Sequence, residues 1–411
     1  MKSPDSPDPM STTTACPPGQ WAIFCSIVDN YGDIGVSWRL ARQLANEYHF
    51  SVELWVDDWH TLTDFLRPLE PNITDTNIVI ENVRLRHWPA IWPDDPEFNR
   101  LFAETSVVLE MFGCAIPASV LEGMTSTCAT PRWINIEYLS AEHWVGEMHN
   151  LPSPQALTLD GRTKTLQKTF FMPGFTSDTG GLIREQNLVQ QHHQWQRQQQ
   201  ALRQQTLDAF DLENTFGLWI SLFCYQSSSL TSWLQTLANG SEPVLCIAPE
   251  GKMAAMLGPL YGLENCPPAG KILRKGALTV LIHPFVSQQN YDRLLSLCDL
   301  NLVRGEDSFV RAQWAGKPFI WHIYPQHDDA HLTKLQAFLA LFAVDDDNSP
   351  ATQVWRELSL QWNLDDDIGN LWQNLRPNLP ALLQSTRNWQ QKLTAMPDLT
   401  TALVRSAGFA P

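Results

Sequence analysis

Apolar runs of strand length recur along both halves of this chain, and each is followed by a stretch with helical spacing. WAIFCSIV begins at Trp21, the loop DNYGDIG leads into VSWRLARQLANEY, and FSVELWV follows. Further strands are expected at NIVIENV, SVVLEMF and RWINIEY, with helices near Trp59–Leu66 and Ala118–Gly123. Near-continuous apolar strands are buried on both faces, as in parallel sheets, and their alternation with helices specifies doubly wound α/β layers. The second half repeats the pattern. FGLWISLFCY, EPVLCIA, ALTVLIH, DLNLVR and KPFIWHI read as strands, with helices at SLTSWLQTLAN, from Gln288 to Cys298 and from Glu306. From His331 onward the chain reads as helical.

Between the halves the pattern breaks. NLPSPQ is turn-rich, and PGFTSDTGGL carries Pro173, Gly174, Gly180 and Gly181, so the stretch 150–185 reads as an interdomain connection. A glutamine-rich helix, QQHHQWQRQQQALRQQ, follows and is expected to present a solvated face. A chain of 411 residues exceeds one ordinary core. The expected division is a disordered tail over 1–20, a Rossmann-like domain with its linker over 21–185, and a second over 186–385. A helical segment over 386–411 is expected to pack back on the first domain. Ligands of such sheets bind beyond the carboxyl ends of the strands, here in a cleft between the domains.

Charge removes several function classes. With 28 basic and 44 acidic side chains the net charge is −16, which disfavours nucleic acid and anionic membranes as partners. No run approaches the ~18 apolar residues of a membrane span, and the first twenty residues lack the apolar core of a signal peptide. The eight cysteines are widely and irregularly spaced with no CxxC pair, so they read as free thiols in a reducing compartment. A cytoplasmic location is the expectation.

Three loops could carry chemistry. Asp29-Asn30-Tyr31-Gly32-Asp33-Ile34-Gly35 follows the first strand and puts two carboxylates on one tight turn. It is not a GxGxxG dinucleotide fingerprint, which disfavours an NAD-dependent oxidoreductase. A helix cap at Asp33 and a strand end at Asp29 is the ordinary alternative. Arg304-Gly305-Glu306-Asp307-Ser308 lies at another strand-to-helix turn, where Arg304 and free helix N–H groups suit a diphosphate and Glu306 suits sugar hydroxyls. The alternative there is a capped helix with a surface ion pair. His283–Gln288 follows a strand and offers Phe285 and an amide to a nucleobase, while Phe223 and Tyr225 end a strand facing the same cleft. His327 and His331 stand four apart without an evident third ligand, and the DDD runs at 345–347 and 365–367 read as solvated turns, so no metal is expected.

These loops, together with LFCYQ, PGFTSDTGGLIRE and the long run RGEDSFVRAQWAGKPFIWHIYPQ, resemble the elongation factor P arginine rhamnosyltransferases, the EarP family. The resemblance spans roughly Trp21 to Leu341, with the helical C-terminus only loosely similar. It implies a GT-B glycosyltransferase fold: two Rossmann-like domains facing across a cleft. It implies dTDP-β-L-rhamnose as donor, an arginine of elongation factor P as acceptor, inversion at the anomeric carbon, and neither metal nor cofactor. Its acidic pair matches Asp29 and Asp33, and its catalytic glutamate matches Glu306. Its donor-site residues match Phe223, Tyr225, Phe285, Gln288, Arg304, Asp307 and Ser308, with Gly305 in the same turn. A guanidinium is a poor nucleophile, protonated and delocalised, so Asp33 is expected as general base, with Asp29 orienting the guanidinium or holding the loop. Two other readings stay open: a non-catalytic nucleotide-sugar-binding adaptor, and a GT-B enzyme with another acceptor such as a lipid or envelope glycan.

Overall fold

A computed structural model describes residues 19–88, 104–125, 130–159, 162–344 and 349–410. The expected tail over 1–20 and the DDD run at 345–347 lie almost wholly outside these residues. The first sheet has eight strands: β1 (Gln20–Cys25), β2 (Ser51–Val56), β3 (Asn77–Ile80), β4 (Val83–His87), β5 (Thr105–Met111), β6 (Arg132–Ile136), β7 (Pro152–Leu159) and β8 (Arg162–Phe171). Their order is β3-β4-β2-β1-β5-β6-β8-β7. The second sheet has six: β9 (Leu218–Leu222), β10 (Val244–Pro249), β11 (Ile272–Lys275), β12 (Leu278–His283), β13 (Leu300–Arg304) and β14 (Phe319–His322), ordered β11-β12-β10-β9-β13-β14.

The central strands of both sheets are parallel and buried end to end. Trp21, Ala22, Ile23, Phe24 and Cys25 of β1 are fully buried, as are Ile220 and Leu222 of β9 and Leu300, Leu302 and Val303 of β13. Each such large apolar side chain contributes roughly 1.5–3 kcal/mol of transfer free energy. In each sheet the strand order reverses at one point, between β1 and β5 in the first and between β9 and β13 in the second. A crevice opens beyond the carboxyl ends of strands at such a switch point, and the two crevices face each other.

The structure corrects four readings of the sequence. NIVIENV is not one strand: Glu81 and Asn82 take positive φ values of 47° and 67°, and the chain folds back as the antiparallel β3–β4 hairpin. The stretch 150–185 is not all connection, because β7 and β8 pair antiparallel and β8 extends the first sheet beside β6. β11 pairs antiparallel with β12 as an edge strand that the sequence reading lacked. The glutamine-rich segment is two helices, Leu188–Arg197 and Gln199–Ala209, and its His192 is buried, 2.5 Å from Ser296 Oγ.

The chain's last elements link both halves. The helix Leu379–Thr394 packs on the helix Asp307–Ala315, with Trp389 Nε1 donating to Gln313 Oε1 at 2.8 Å. The helix Leu399–Ser406 then crosses to the first sheet's side. Thr400 donates to Gln43 Oε1 at 2.6 Å, Tyr48 bonds Thr401 at 2.7 Å, and Phe409 rests on Trp21 and Phe50.

Candidate active site

The cleft between the sheets has two lobes. Asp29, Gly32 and Gly305 line both, so this trio marks the junction. Asp29 stands in the loop after β1, and Gly305 follows β13. Gly305 has φ 59°, and a Cβ there would lie 2.9 Å from Asp29 Oδ2 and 3.4 Å from the Tyr225 hydroxyl. Only glycine lets the two domains approach this closely at the junction.

The first lobe is mostly apolar. Phe223, Phe285, Tyr31 and Phe65 contribute rings, and His283, Gln288, Arg304, Asp307 and Ser308 contribute polar groups. Arg304 extends from the end of β13, its guanidinium 4.4 Å from the Phe223 centroid and 4.8 Å from that of Tyr225. Among the described residues no carboxylate is ion-paired with it, so the alternative of a surface ion pair is not met and the guanidinium stacks on two aromatic faces. Ser308 Oγ accepts the Arg304 N–H at 3.0 Å and donates to the Arg304 carbonyl, which fixes the turn. Asp307 and Gln288 contact each other at 3.2 Å, and both also bond to the N-terminal domain. Six of the seven donor-site residues expected from the sequence line the first lobe, Gly305 lines both, and Tyr225 reaches the junction through its hydroxyl.

The second lobe is acidic and aromatic. Asp33, Glu306, Tyr138, Phe112, Trp321, Tyr324 and Lys334 line it together with Asp29. Asp33 is buried and held by three donors. Its Oδ2 accepts the N–H groups of Val28 and Asp29 at 2.7 and 2.8 Å, and its Oδ1 accepts the Tyr138 hydroxyl at 3.1 Å. It braces the loop before the helix Tyr31–Asn46 instead of capping that helix, whose N-cap position is Asn30. Asp29 Oδ2 accepts the Tyr225 hydroxyl at 3.0 Å across the cleft. Burial pushes the Asp29 carboxyl up, against the opposing pull of that hydrogen bond and of Arg304.

Glu306 occupies the N-cap position of the helix Asp307–Ala315 without a side-chain capping bond. Its Oε2 instead accepts the Leu139 N–H of the opposite domain at 2.9 Å. Burial pushes its carboxyl up to about 8; the Leu139 N–H and Lys334 pull it down, and Asp33 and Asp307 push it further up. A glutamate near 8 is mostly protonated at neutral pH and can donate a hydrogen bond to a hydroxyl or an anion.

Tyr138, Phe112 and Lys334 were not foreseen. Tyr138 and Phe112 stack at 4.3 Å just past the ends of β6 and β5, and the carboxyl-end rule for parallel strands is the signal that could have found them. The described His331 faces the Gln326 N–H through Nδ1 at 3.2 Å, and Asp365 accepts from the N–H groups of Ser228 and Ser229. Among the described residues no three His, Cys, Asp or Glu side chains gather in a metal-holding group, and no helix is long and apolar enough to cross a membrane.

A family model described as elongation factor P (EF-P) rhamnosyltransferase EarP matches residues 21–407. A protein-arginine rhamnosyltransferase of Pseudomonas putida is 44% identical over 390 residues, covering 93% of this chain and 97% of its own length. One of Shewanella oneidensis is 39% identical over 416 residues, covering 96% and 99%. A solved structure presented as the structural basis for EarP-mediated arginine glycosylation of translation elongation factor EF-P aligns with a TM-score of 0.61 at 33% identity, covering 94% of this chain and 97% of that one. Facing doubly wound sheets, a two-lobed cleft and these relatives agree: the chain has the GT-B glycosyltransferase fold and belongs to the EF-P rhamnosyltransferase EarP family.

Proposed function

We propose that this chain transfers L-rhamnose from dTDP-β-L-rhamnose to an arginine side chain of elongation factor P, with inversion and without metal or cofactor. The observation that carries the reading is the junction. A lobe suited to a nucleoside diphosphate and a lobe suited to a guanidinium meet at Asp29, where a sugar's anomeric carbon would sit between them.

In this reading the base lies by Phe285 and Gln288. The diphosphate meets Arg304 and the N-terminus of the helix Asp307–Ala315, which supply the positive charge that a departing diphosphate needs. The acceptor guanidinium enters the acidic lobe. Asp29 grips one edge of the fork, and Asp33 takes a proton from the attacking nitrogen. A C–N bond forms as the anomeric C–O bond breaks, and the bonding pair leaves on the diphosphate oxygen. Glu306 steadies sugar hydroxyls from the second lobe. The aromatic walls exclude water and limit hydrolysis of the donor.

The test is to mix the protein with dTDP-rhamnose and elongation factor P and weigh the acceptor intact. A gain of one deoxyhexosyl unit, lost when the acceptor arginine is replaced by lysine, supports the reading. Donor binding with no mass gain would mark a non-catalytic adaptor, and donor turnover with transfer to another molecule would mark a different acceptor.

A further inference from the structure

Behind the nucleotide lobe lies a buried charge cluster that joins the domains. Arg39, on the helix Tyr31–Asn46, is almost wholly buried. Its Nε donates to Asp307 Oδ1 at 2.6 Å, Nη1 to Glu185 Oε1 at 3.2 Å, and both terminal nitrogens to Asp292 at 3.1 Å. Arg311 reaches the same Asp292 and Glu185. Buried ion pairs add little net stability over an apolar core, so a cluster of this size fits a positional task.

The task is legible in the Gln288 amide. Its Nε2 donates to the Gly35 carbonyl at 3.0 Å and to Asp307 Oδ2 at 3.2 Å. Both partners are pure acceptors, so the nitrogen must face them and the oxygen must face away. Gln288 Oε1 is left buried without a partner, on a residue that lines the nucleotide lobe. A small shift of the amide toward the lobe would bring this acceptor onto a bound base, where it suits one that presents an N–H and penalises one that presents a lone pair. Both groups that aim this amide are anchored on one helix of the N-terminal domain: Gly35 directly, and Asp307 through Arg39. The contact is close, since a Cβ on Gly35 would lie 3.3 Å from the Asp307 carboxyl group.

We infer that Arg39 and Gly35 are positioning residues for the nucleotide lobe, so that base selection belongs to the docked pair of domains and not to the C-terminal domain alone. The inference rests on the thymidine reading of the donor given above. The test is equilibrium binding of dTDP and dCDP to wild type, Gly35→Ala and Arg39→Lys, with melting temperatures measured on the same samples. Glu185→Gln is the control, because it cuts the same cluster but touches neither Gly35 nor Asp307. Wild type should prefer dTDP, whose base offers an N–H at N3, by at least ~10-fold over dCDP, whose N3 is an acceptor. Gly35→Ala and Arg39→Lys should bring the ratio several-fold toward parity, while Glu185→Gln lowers the melting temperature and keeps it. Folded relay variants with the wild-type ratio overturn the inference, as does a Glu185→Gln ratio that falls as far. If Arg39→Lys does not fold, Gly35→Ala decides alone, since it changes no charge. A wild type without preference overturns the thymidine reading itself, and the positioning claim with it.

Discussion

Replacing Glu306 with Gln separates a buried acid from an ordinary carboxylate by its effect on stability against pH. Glutamine mimics the protonated acid, and its carbonyl oxygen can still accept the Leu139 N–H that Glu306 accepts at 2.9 Å. The folded carboxyl lies at about 8, above its ordinary 4.5, so the folded state holds the proton more tightly than the unfolded chain. Below about 4.5 both states are protonated and nothing is lost. Between about 4.5 and 8 the unfolded chain releases the proton first, and wild type loses stability as pH rises; above about 8 the loss is complete. Taken whole, the displacement is worth about 5 kcal/mol. Glu306 as a residue is only partly buried and lines the open second lobe, so screening by water brings the expected loss to about 1–2 kcal/mol.

A domain of this size moves by about 2–4 °C in melting temperature per kcal/mol. Glu306→Gln should therefore melt close to wild type at pH 5 and several degrees above it at pH 9. Calorimetric or fluorescence melts of the two proteins across that range provide the assay, and groups common to both cancel in the difference. A difference that stays flat from pH 5 to 9 would show that the carboxyl titrates as an ordinary glutamate, and the case for a neutral Glu306 in the resting cleft would fail.

Two further outcomes follow from the same geometry. Asp33→Asn keeps an oxygen for the Val28 and Asp29 N–H groups, so it should fold and bind dTDP-rhamnose much as wild type does. In single turnover at saturating acceptor it should transfer at least ~100-fold more slowly, and near-wild-type transfer would remove Asp33 as the base. Titration calorimetry in EDTA should show dTDP binding undiminished, with UDP-glucose weaker; loss of binding in EDTA would require a metal at the diphosphate.

Much of this fold was legible because parallel strands announce themselves as continuous apolar runs. Trp21–Cys25, Val52–Val56 and Leu218–Leu222 are buried throughout. Edge elements were not, since their cues are weaker. β7 carries Pro152 and Pro154, which edge strands tolerate and which read as linker, and the β3–β4 turn uses Glu81-Asn82 in place of a glycine turn. The site residues were legible where they sit on the loops that follow strands. Their partners were not. Tyr138 is 105 residues from Asp33, and Tyr225 is 196 from Asp29. Nothing in local spacing encodes a contact that the first sheet makes by bringing the ends of β1 and β6 together, as for Tyr138, or that the docking of two domains creates, as for Tyr225.

Those distant partners also explain how two aspartates four residues apart can take different work. Asp33 has one oxygen pinned by two backbone N–H groups and the other turned toward Tyr138 in the acidic lobe. Such a carboxylate cannot swing, and a proton acceptor in a transfer step gains from a fixed direction. Asp29 is tied by a single hydroxyl from the opposite domain, at the spot where both lobes meet. That bond spans the two domains. An incoming guanidinium would compete with the Tyr225 hydroxyl for the same oxygen, and it brings a full positive charge and paired N–H donors where the hydroxyl brings one neutral donor. On the proposed reading, acceptor entry would free the Tyr225 hydroxyl from Asp29 and so link the filling of one lobe to the geometry of the other.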